Sequence, residues 1–436
     1  MGRYLLAASP IPGHVTPMLA LAADLRRRGH KVRLLTGPAF REPAEAQGIP
    51  CSVLPPDAAV ARAERPRGRK SSWLRRWRTG RCELRSSFLD PIAGQFRALT
   101  AELERTDFDA VFVDVMFTGA IPLLLAGKPR PAVLACGVVP LMLSSADTAP
   151  FGMGWQPRSD RDYTAMNRFV RQVLFRGEQR RLDATLRELG LGTAPSYLLD
   201  WPILADRLLQ FTIPGFEYPR GDLPASVVFT GPIPIDDPEN ARRPSWWSEL
   251  SGAKTIVHLT QGTWDNTDFD QLIRPTLTAL SRHTDLVVVA CTGGSRSALG
   301  PIPANAYVTD SLPYTQLLPR VAVMITNGGY GGVQQALRHG VPLIVAGDTA
   351  DKPEIAARVA YTGAGIDLGT ARPRPAAVAV AVDRVLETDE FRIASAGLAR
   401  EMMKVSAFEV ISDVLIELGS GHAREDVPVS RNGESW

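Results

Sequence analysis

The 436-residue chain lacks any run of about eighteen uninterrupted apolar residues, the length a membrane-crossing helix needs. Its most apolar stretch, 110–145, is broken by Asp114, Lys128, Arg130 and several prolines. Cysteine is scarce, with four residues at 51, 82, 136 and 291 and no paired spacing. That excludes a disulfide framework and points to free, reduced thiols. The six histidines (14, 30, 258, 283, 339, 422) show no HExxH spacing. The acidic run 265–270 lacks the glycine and terminal Glu of a calcium loop. No metal is therefore expected. A GxSxG nucleophile elbow is missing too, as are GxGxxG and GxxxxGK[ST]. A serine hydrolase, a dinucleotide-dependent oxidoreductase and a P-loop NTPase are disfavoured accordingly. Nor does one charge dominate: 49 Lys and Arg face 46 Asp and Glu, a net charge of +3. This argues against a nucleic-acid protein with a wholly basic surface. The opening MGRYLLAASPIPGH has too short an apolar run for a signal peptide and no myristoylation Ser/Thr, so a cytoplasmic location is expected.

What is present is an ordinary globular composition, 45% apolar and 22% charged, in a chain long enough for two or three domains. Short apolar strands alternate with helical patterns. Tyr4–Ser9 reads as a strand, Pro10–Gly13 as a turn, Thr16–Arg28 as a helix and Lys31–Thr36 as the next strand. A helix near Arg85–Glu104 and strands at Asp109–Val113 and Ala132–Ala135 continue the rhythm. A second series begins with strand Thr255–Thr260 and includes strand Val321–Thr326, a helix at 331–339 and strand Pro342–Ala346. Such alternation implies parallel sheets with right-handed crossovers. Between the two series lies a Pro- and Gly-rich stretch. The expected α/β organisation is a Rossmann-like domain over 1–215, a linker over 216–247, a second Rossmann-like domain over 248–404, a helix over 405–420 and a polar tail over 421–436. The rhythm lapses within 61–87, where ten Lys or Arg stand against two Glu, with Trp73 and Trp77 among them. This segment reads as a solvated insertion, with a flap or an anionic or membrane-surface contact as the functional alternative.

Ligands of such sheets bind beyond the carboxyl ends of the strands. His14 follows the first strand at the start of a helix. A helix N-terminus disfavours the imidazolium, and a neutral ring can take a proton from a hydroxyl. The alternative is a His that caps the turn. Asp114 ends another strand on the same side and could hold the His Nδ1–H, or could instead cap a helix starting near Phe117. The run Thr326-Asn327-Gly328-Gly329-Tyr330-Gly331-Gly332 joins an apolar strand to a helix, as suits backbone amides approaching a phosphate. The loops Thr260–Thr263 and Asp348–Lys352 also follow strands of the second half.

These segments resemble the GT-B glycosyltransferases of family 1, particularly bacterial enzymes that glycosylate macrolides and other natural products. GHVTPMLALAADLRRRGHKVRLLTG resembles the opening of that family and DFDAVFVDVMFTGA its acidic segment. SLPYTQLLPRVAVMITNGGYGGVQQALRHGVPLIVAGDTADKPEIAARV resembles its donor-binding signature. The resemblance implies a GT-B fold, with two Rossmann-like domains facing across a cleft and a C-terminal helix, 405–420, crossing back to the first domain, and a metal-independent, inverting transfer from a UDP- or dTDP-sugar to a hydroxyl of a lipophilic small molecule. No cofactor is implied beyond that nucleotide-sugar co-substrate. The resemblance makes His14 the base and Asp114 its partner. It assigns donor binding to Gly13, Thr263, Leu312, Pro313, Asn327, Gly328, Gly329, Gly331, Gly332, Gln335, Asp351 and Lys352. Three of these depart from the family pattern: Asn327 replaces a His, Gln335 a Glu, and Lys352 the Gln of an Asp-Gln pair. Candidate acceptor-lining residues are Phe117, Met142, Phe151, Met153 and Trp155. The main alternative is a non-catalytic nucleotide-sugar-binding partner of another transferase, which an intact His14 and Asp114 disfavour. An oxidoreductase would need the missing dinucleotide fingerprint.

Overall fold

The computed structural model describes residues 1–60, 73–237, 243–252, 255–264, 266–293 and 299–425. The first half contains β1 (Arg3–Ala7), α1 (Pro12–Arg27), β2 (Lys31–Thr36), α2 (Arg41–Ala46), β3 (Cys51–Val53), α3 (Trp73–Leu84), α4 (Ile92–Arg105), β4 (Ala110–Asp114), α5 (Ala120–Leu125), β5 (Ala132–Gly137), α6 (Thr164–Phe169), α7 (Arg176–Glu188), β6 (Arg207–Gln210) and β7 (Val227–Phe229). The second contains β8 (Thr255–Thr260), α8 (Ile273–Leu280), β9 (Leu286–Cys291), β10 (Ala306–Thr309), α9 (Tyr314–Leu317), β11 (Val323–Thr326), α10 (Tyr330–Arg338), β12 (Leu343–Val345), α11 (Lys352–Tyr361), β13 (Gly365–Asp367), α12 (Pro375–Glu387), α13 (Asp389–Met403) and α14 (Ala407–Glu425).

Among the described residues the strands form two sheets, ordered β3-β2-β1-β4-β5-β6-β7 and β10-β9-β8-β11-β12-β13. All their pairings are parallel. Parallel strands covered on both faces should read as continuous apolar runs. β4 and β5 are buried at every position, and β11 likewise. In each sheet the strand order reverses once, between β1 and β4 and between β8 and β11. The chain leaves such a pair in opposite directions, which opens a crevice at their carboxyl ends. Both series of candidate residues sit there. His14 and Asp114 follow β1 and end β4, while Gly262 and Asn327 follow β8 and β11.

Several local expectations are corrected. Pro10–Gly13 is not all turn: α1 starts at Pro12, because proline at the first helical position loses no hydrogen bond and already has the helical φ. His14 therefore lies inside the first turn of the helix. The helix expected near Arg85–Glu104 is broken into α3, a π-helical turn at Arg85–Leu89, and α4, which begins after Pro91. The first sheet outruns position 215, since β7 pairs with β6 inside the segment expected as linker. Ile213, at the end of the expected first domain, and Phe216, at the start of the expected linker, pack in the core of the second half instead. The exchange of partners is physical: Val227–Phe229 extends β6, while Ile213 and Phe216 cover α10 and α13.

α14 crosses back. Ala407, Ile411 and Val414 are buried in the core of the first half. Arg28 at the end of α1 bonds Glu409 at 2.6 Å and also contacts Ser412, and Arg207 pairs with Glu417. Residues 61–72 of the Arg-rich segment and 426–436 of the polar tail lie outside the described residues. Within the described part, Arg81 and Arg85 bond the buried Glu178 of α7, at 2.8 and 2.9 Å. Part of that positive charge is thus committed within the fold rather than offered to a partner. Among the described residues no helix is long and apolar enough to cross a membrane.

Candidate active site

The first crevice is built from a carboxylate with no water access. Asp114 is 0% exposed. One of its oxygens accepts the Ser9 amide, and the other accepts the Met116 amide at 2.8 Å. That second oxygen also lies 2.8 Å from His14 Nδ1. A carboxylate can only accept, so the shared proton belongs on Nδ1 and leaves Nε2 as the ring's basic nitrogen. His14 is 6% exposed and is placed by α1, whose backbone holds it through a 2.9 Å bond to the Ile11 carbonyl. Asp114 does not cap a helix near Phe117. The helix starts at Ala120 with Gly119 as its cap, so the carboxylate's side-chain partner is the imidazole. Burial, with Asp114 alongside, pushes the neighbouring Cys136 thiol well above its ordinary range, so that thiol stays protonated.

The second crevice is backbone. Gly328 has φ +88°, a left-handed conformation that an L side chain rarely adopts, and a Cβ there would meet Val345 at 2.8 Å. The bend carries the chain from β11 into α10, with Gly329 as the cap and Gly331 and Gly332 in the first turn. The first amides of a helix have no acceptor in their own helix. Above Gly329 and Gly331 a Cβ would meet nothing within 4 Å, so those amides have room for a bulky anion. Asn327 is buried. Its Nδ2 donates to the Gln261 carbonyl and its Oδ1 has no partner. Asn327 thus ties the β8 loop to the β11 loop. Thr263 is exposed in the β8 turn, and Gly13 is exposed in the first turn of α1. Leu312 packs in the second core and Pro313 is buried beside it, while Gln335 is half-buried on α10.

Asp351 caps α11 and Lys352 opens it. Just before them, Ala350 is the one described non-glycine residue with positive φ, 53°. Strain of this kind collects at binding sites. Burial pushes the Asp351 carboxyl up, and the charges of Lys352 and of His14 act against that rise. His14 belongs to the other half of the chain, so the imidazole and the start of α11 are electrostatic neighbours across the crevice. α1 also packs against α10.

The acceptor candidates divide. Phe117 and Met142 are 0% and 6% exposed and pack in the core of the first half. Phe117 turns inward because its amide closes a tight turn on the Asp114 carbonyl. Phe151 is half-buried against that core, Met153 is half-buried, and Trp155 is 45% exposed. Sequence reading missed several residues at the boundary between the halves. Gln210 bonds the Tyr330 hydroxyl at 3.3 Å, Thr212 bonds Gln334 at 3.1 Å, and Glu217 meets Arg358 at 2.7 Å. Only the i, i+4 spacing of Glu354 and Arg358 was visible in advance, and it looks like a surface ion pair. Among the described residues no group of three or more His, Cys, Asp or Glu gathers as a metal site would.

Comparison with known proteins agrees with this architecture. The model described as glycosyltransferase family 28 N-terminal domain matches residues 11–102. The model described as erythromycin biosynthesis protein CIII-like, C-terminal domain, matches residues 274–418. The 4'-demethylrebeccamycin synthase of Lentzea aerocolonigenes is 37% identical over 411 residues, covering 92% of this chain and 95% of that protein. UDP-glycosyltransferase 2 of Phaeomoniella chlamydospora is 32% identical over 448 residues, 96% of each chain. Among solved structures, the glycotransferase of kitacinnamycin superposes with a TM-score of 0.71 at 20% identity, over 96% of this chain and 98% of that one.

Proposed function

This chain belongs to the natural-product glycosyltransferases of the GT-B fold, enzymes that draw on nucleotide-sugars, and on that premise we propose that it performs an inverting sugar transfer to a hydroxyl of a lipophilic small molecule with His14 as the general base. The observation that carries the reading is the buried His14–Asp114 pair at one switch point, coupled electrostatically to Asp351 beside the other.

The acceptor O–H proton passes to His14 Nε2 as the oxygen forms a bond to the anomeric carbon from the face opposite the diphosphate. The bond from that carbon to the diphosphate oxygen breaks, and the leaving group keeps the electron pair. Asp114 steadies the imidazolium. The amides of Gly329, Gly331 and Gly332, with Thr263, take up the growing negative charge of the diphosphate, while Gly328, whose amide donates to the Thr326 hydroxyl at 3.2 Å, shapes the bend. Asn327 holds the loops that shape this cradle. Asp351 accepts from sugar hydroxyls with Lys352 beside it. Leu312 and Pro313 back the nucleobase, and Gln335 reaches the ribose. Gly13 keeps the start of α1 bare next to the donor. Phe151, Met153 and Trp155 form the acceptor side.

UDP is the first donor nucleotide to try, as the name of the Phaeomoniella relative suggests, with dTDP the second. The acceptor class follows the lipophilic natural products named for the relatives. The test incubates UDP-glucose and dTDP-glucose with polyketide and phenolic acceptors and reads product by mass and by the anomeric proton coupling. An α-linked donor should give a β-linked product. An α-linked product would overturn the inverting mechanism.

A further inference from the structure

The halves of the molecule meet at a buried ionic cluster that plays no part in the chemistry above. Arg358 of α11 is 1% exposed. Its Nη1 donates to Glu354 Oε2 at 2.9 Å, and its Nε donates to Glu217 Oε2 at 2.8 Å. Its guanidinium lies 4.3 Å from the ring centre of Tyr218. Glu217 in turn accepts the Leu141 amide at 2.9 Å. The other oxygen of Glu354, Oε1, accepts the amides of Gly152 and Gly154 at 2.9 and 2.8 Å. Gln156 adds a 3.4 Å bond to the Ala357 carbonyl.

The arrangement is specific in shape. Gly154 has φ +63°, and a Cβ there would come within 2.8 Å of Pro353 Cβ and 2.9 Å of the Pro353 carbonyl oxygen. The loop therefore lies directly on the first turn of α11. That turn begins with Asp351 and Lys352. The same loop carries Phe151, Met153 and Trp155. A carboxylate that accepts two amides and a guanidinium has its lone pairs well used, and the low dielectric around it makes each bond costly to lose.

We propose that Glu354 and Arg358 are positioning residues that clip the 151–155 loop onto the start of α11 and so hold the acceptor in register with the donor sugar. The proposal rests on the reading that this loop borders the acceptor and that Asp351 meets the sugar. The clip acts through placement: a shift of about 1 Å between reacting atoms is enough to cost a hundredfold in rate. It also keeps water from the anomeric carbon while the donor waits, since a lifted loop admits water as a competing nucleophile.

Three variants test it. Glu354→Gln keeps an amide oxygen for the loop. Glu354→Ala removes it. Gly154→Ala lifts the loop from its own side. Arg358 retains Glu217 in all three, so its buried charge is not orphaned. Amide hydrogen exchange of the 150–156 peptide reads the clip without any substrate. Initial rates with UDP-glucose and 4-methylumbelliferone, each varied in turn, give the two KM values. Glucose released to water, as a share of all UDP formed, reads the partition. Glu354→Ala and Gly154→Ala should speed exchange in that peptide, raise the acceptor KM about tenfold or more, leave the donor KM within about twofold and enlarge the share lost to water. Glu354→Gln keeps one acceptor for the loop amides but turns an NH2 donor towards the Arg358 guanidinium, so its exchange rate and acceptor KM should fall between those of the parent protein and of Glu354→Ala. Unchanged exchange would overturn the clip. Faster exchange with unaltered acceptor KM and partition, or an equal rise in both KM values, would overturn its positioning role. His14→Ala separates the two readings, because it should abolish transfer while leaving exchange in 150–156 untouched.

Discussion

Asp114 has three hydrogen-bond donors around one buried carboxylate and no lysine or arginine among them. It is therefore placed to orient the imidazole through Nδ1 and to steady positive charge on the ring. His14→Ala should lower turnover by about 10²–10⁴, the scale of a lost general base, with UDP affinity unchanged by tryptophan quenching. Unaltered turnover would remove His14 from the mechanism. Asp114→Asn conserves the volume but can no longer steady an imidazolium, so it should fall in the same range. Asn327 makes a different argument. Its amide donates to the Gln261 carbonyl. Asn327→Asp would set a carboxylate beside the anion cradle and against a carbonyl, and should weaken UDP binding by at least about tenfold in the same titration. Equal affinity would show that position 327 lies away from the diphosphate. At this scale legibility was uneven. His14, Asp114 and the glycines could be read because polar or small residues interrupt apolar runs at strand ends. The burial of Phe117 and Met142 could not be read, because an aromatic or Met next to a site has the same spelling whether it lies at a surface or in a core.

Strands and helices were more readable than their ends. β4, β5 and β11 are buried at every position and read as largely apolar runs. Weakly patterned elements escaped notice, such as β7, whose three residues are only half-buried, and α7, whose polar face dominates. One strand carries an unexpected titratable group. His258 in β8 is fully buried, with Nδ1 2.8 Å from the Val289 carbonyl and Nε2 2.8 Å from the Tyr314 hydroxyl. Nδ1–H donates to the carbonyl and Nε2 accepts the phenol proton, a pattern only the neutral ring can satisfy. Burial pulls its pKa from 6.5 down to about 4. The unfolded chain then binds the extra proton first on acidification. The contribution of His258 to stability is whole above pH ~6.5 and is lost as pH falls towards about 4, a change on the order of 3 kcal/mol across the window. Urea midpoints taken at about pH 7 and about pH 4.5 should drop for the parent protein and drop less for His258→Gln. Parallel drops in the two proteins would place the acid sensitivity elsewhere.

On the scale of the whole molecule, two sheets with separate cores are joined by three kinds of tie. Hydrogen bonds from Gln210 and Thr212 reach α10, the buried Glu217–Arg358–Glu354 cluster spans the middle, and α14 returns from the second half to the first. The first two tie the halves beside the crevice, where the reacting groups need fixed spacing. The third ties them far from it. Ile411 is fully buried among first-half residues although its helix follows α13 of the second half. Folding of the first half is thus completed by α14, a crossing that the family resemblance implies for 405–420 and that apolar patterning alone does not assign to either core. Ile411→Ala should cost about 2–4 kcal/mol, from lost burial plus the void left behind. The cost should appear as a lower urea midpoint at nearly unchanged m-value. Because Ile411 touches neither crevice, UDP affinity of the folded variant should match the parent's. If the midpoint holds, α14 is a loosely laid strap rather than part of the first core. If the midpoint falls and UDP affinity falls with it, the strap also governs the donor crevice, and the two halves cannot be treated as separately stable bodies.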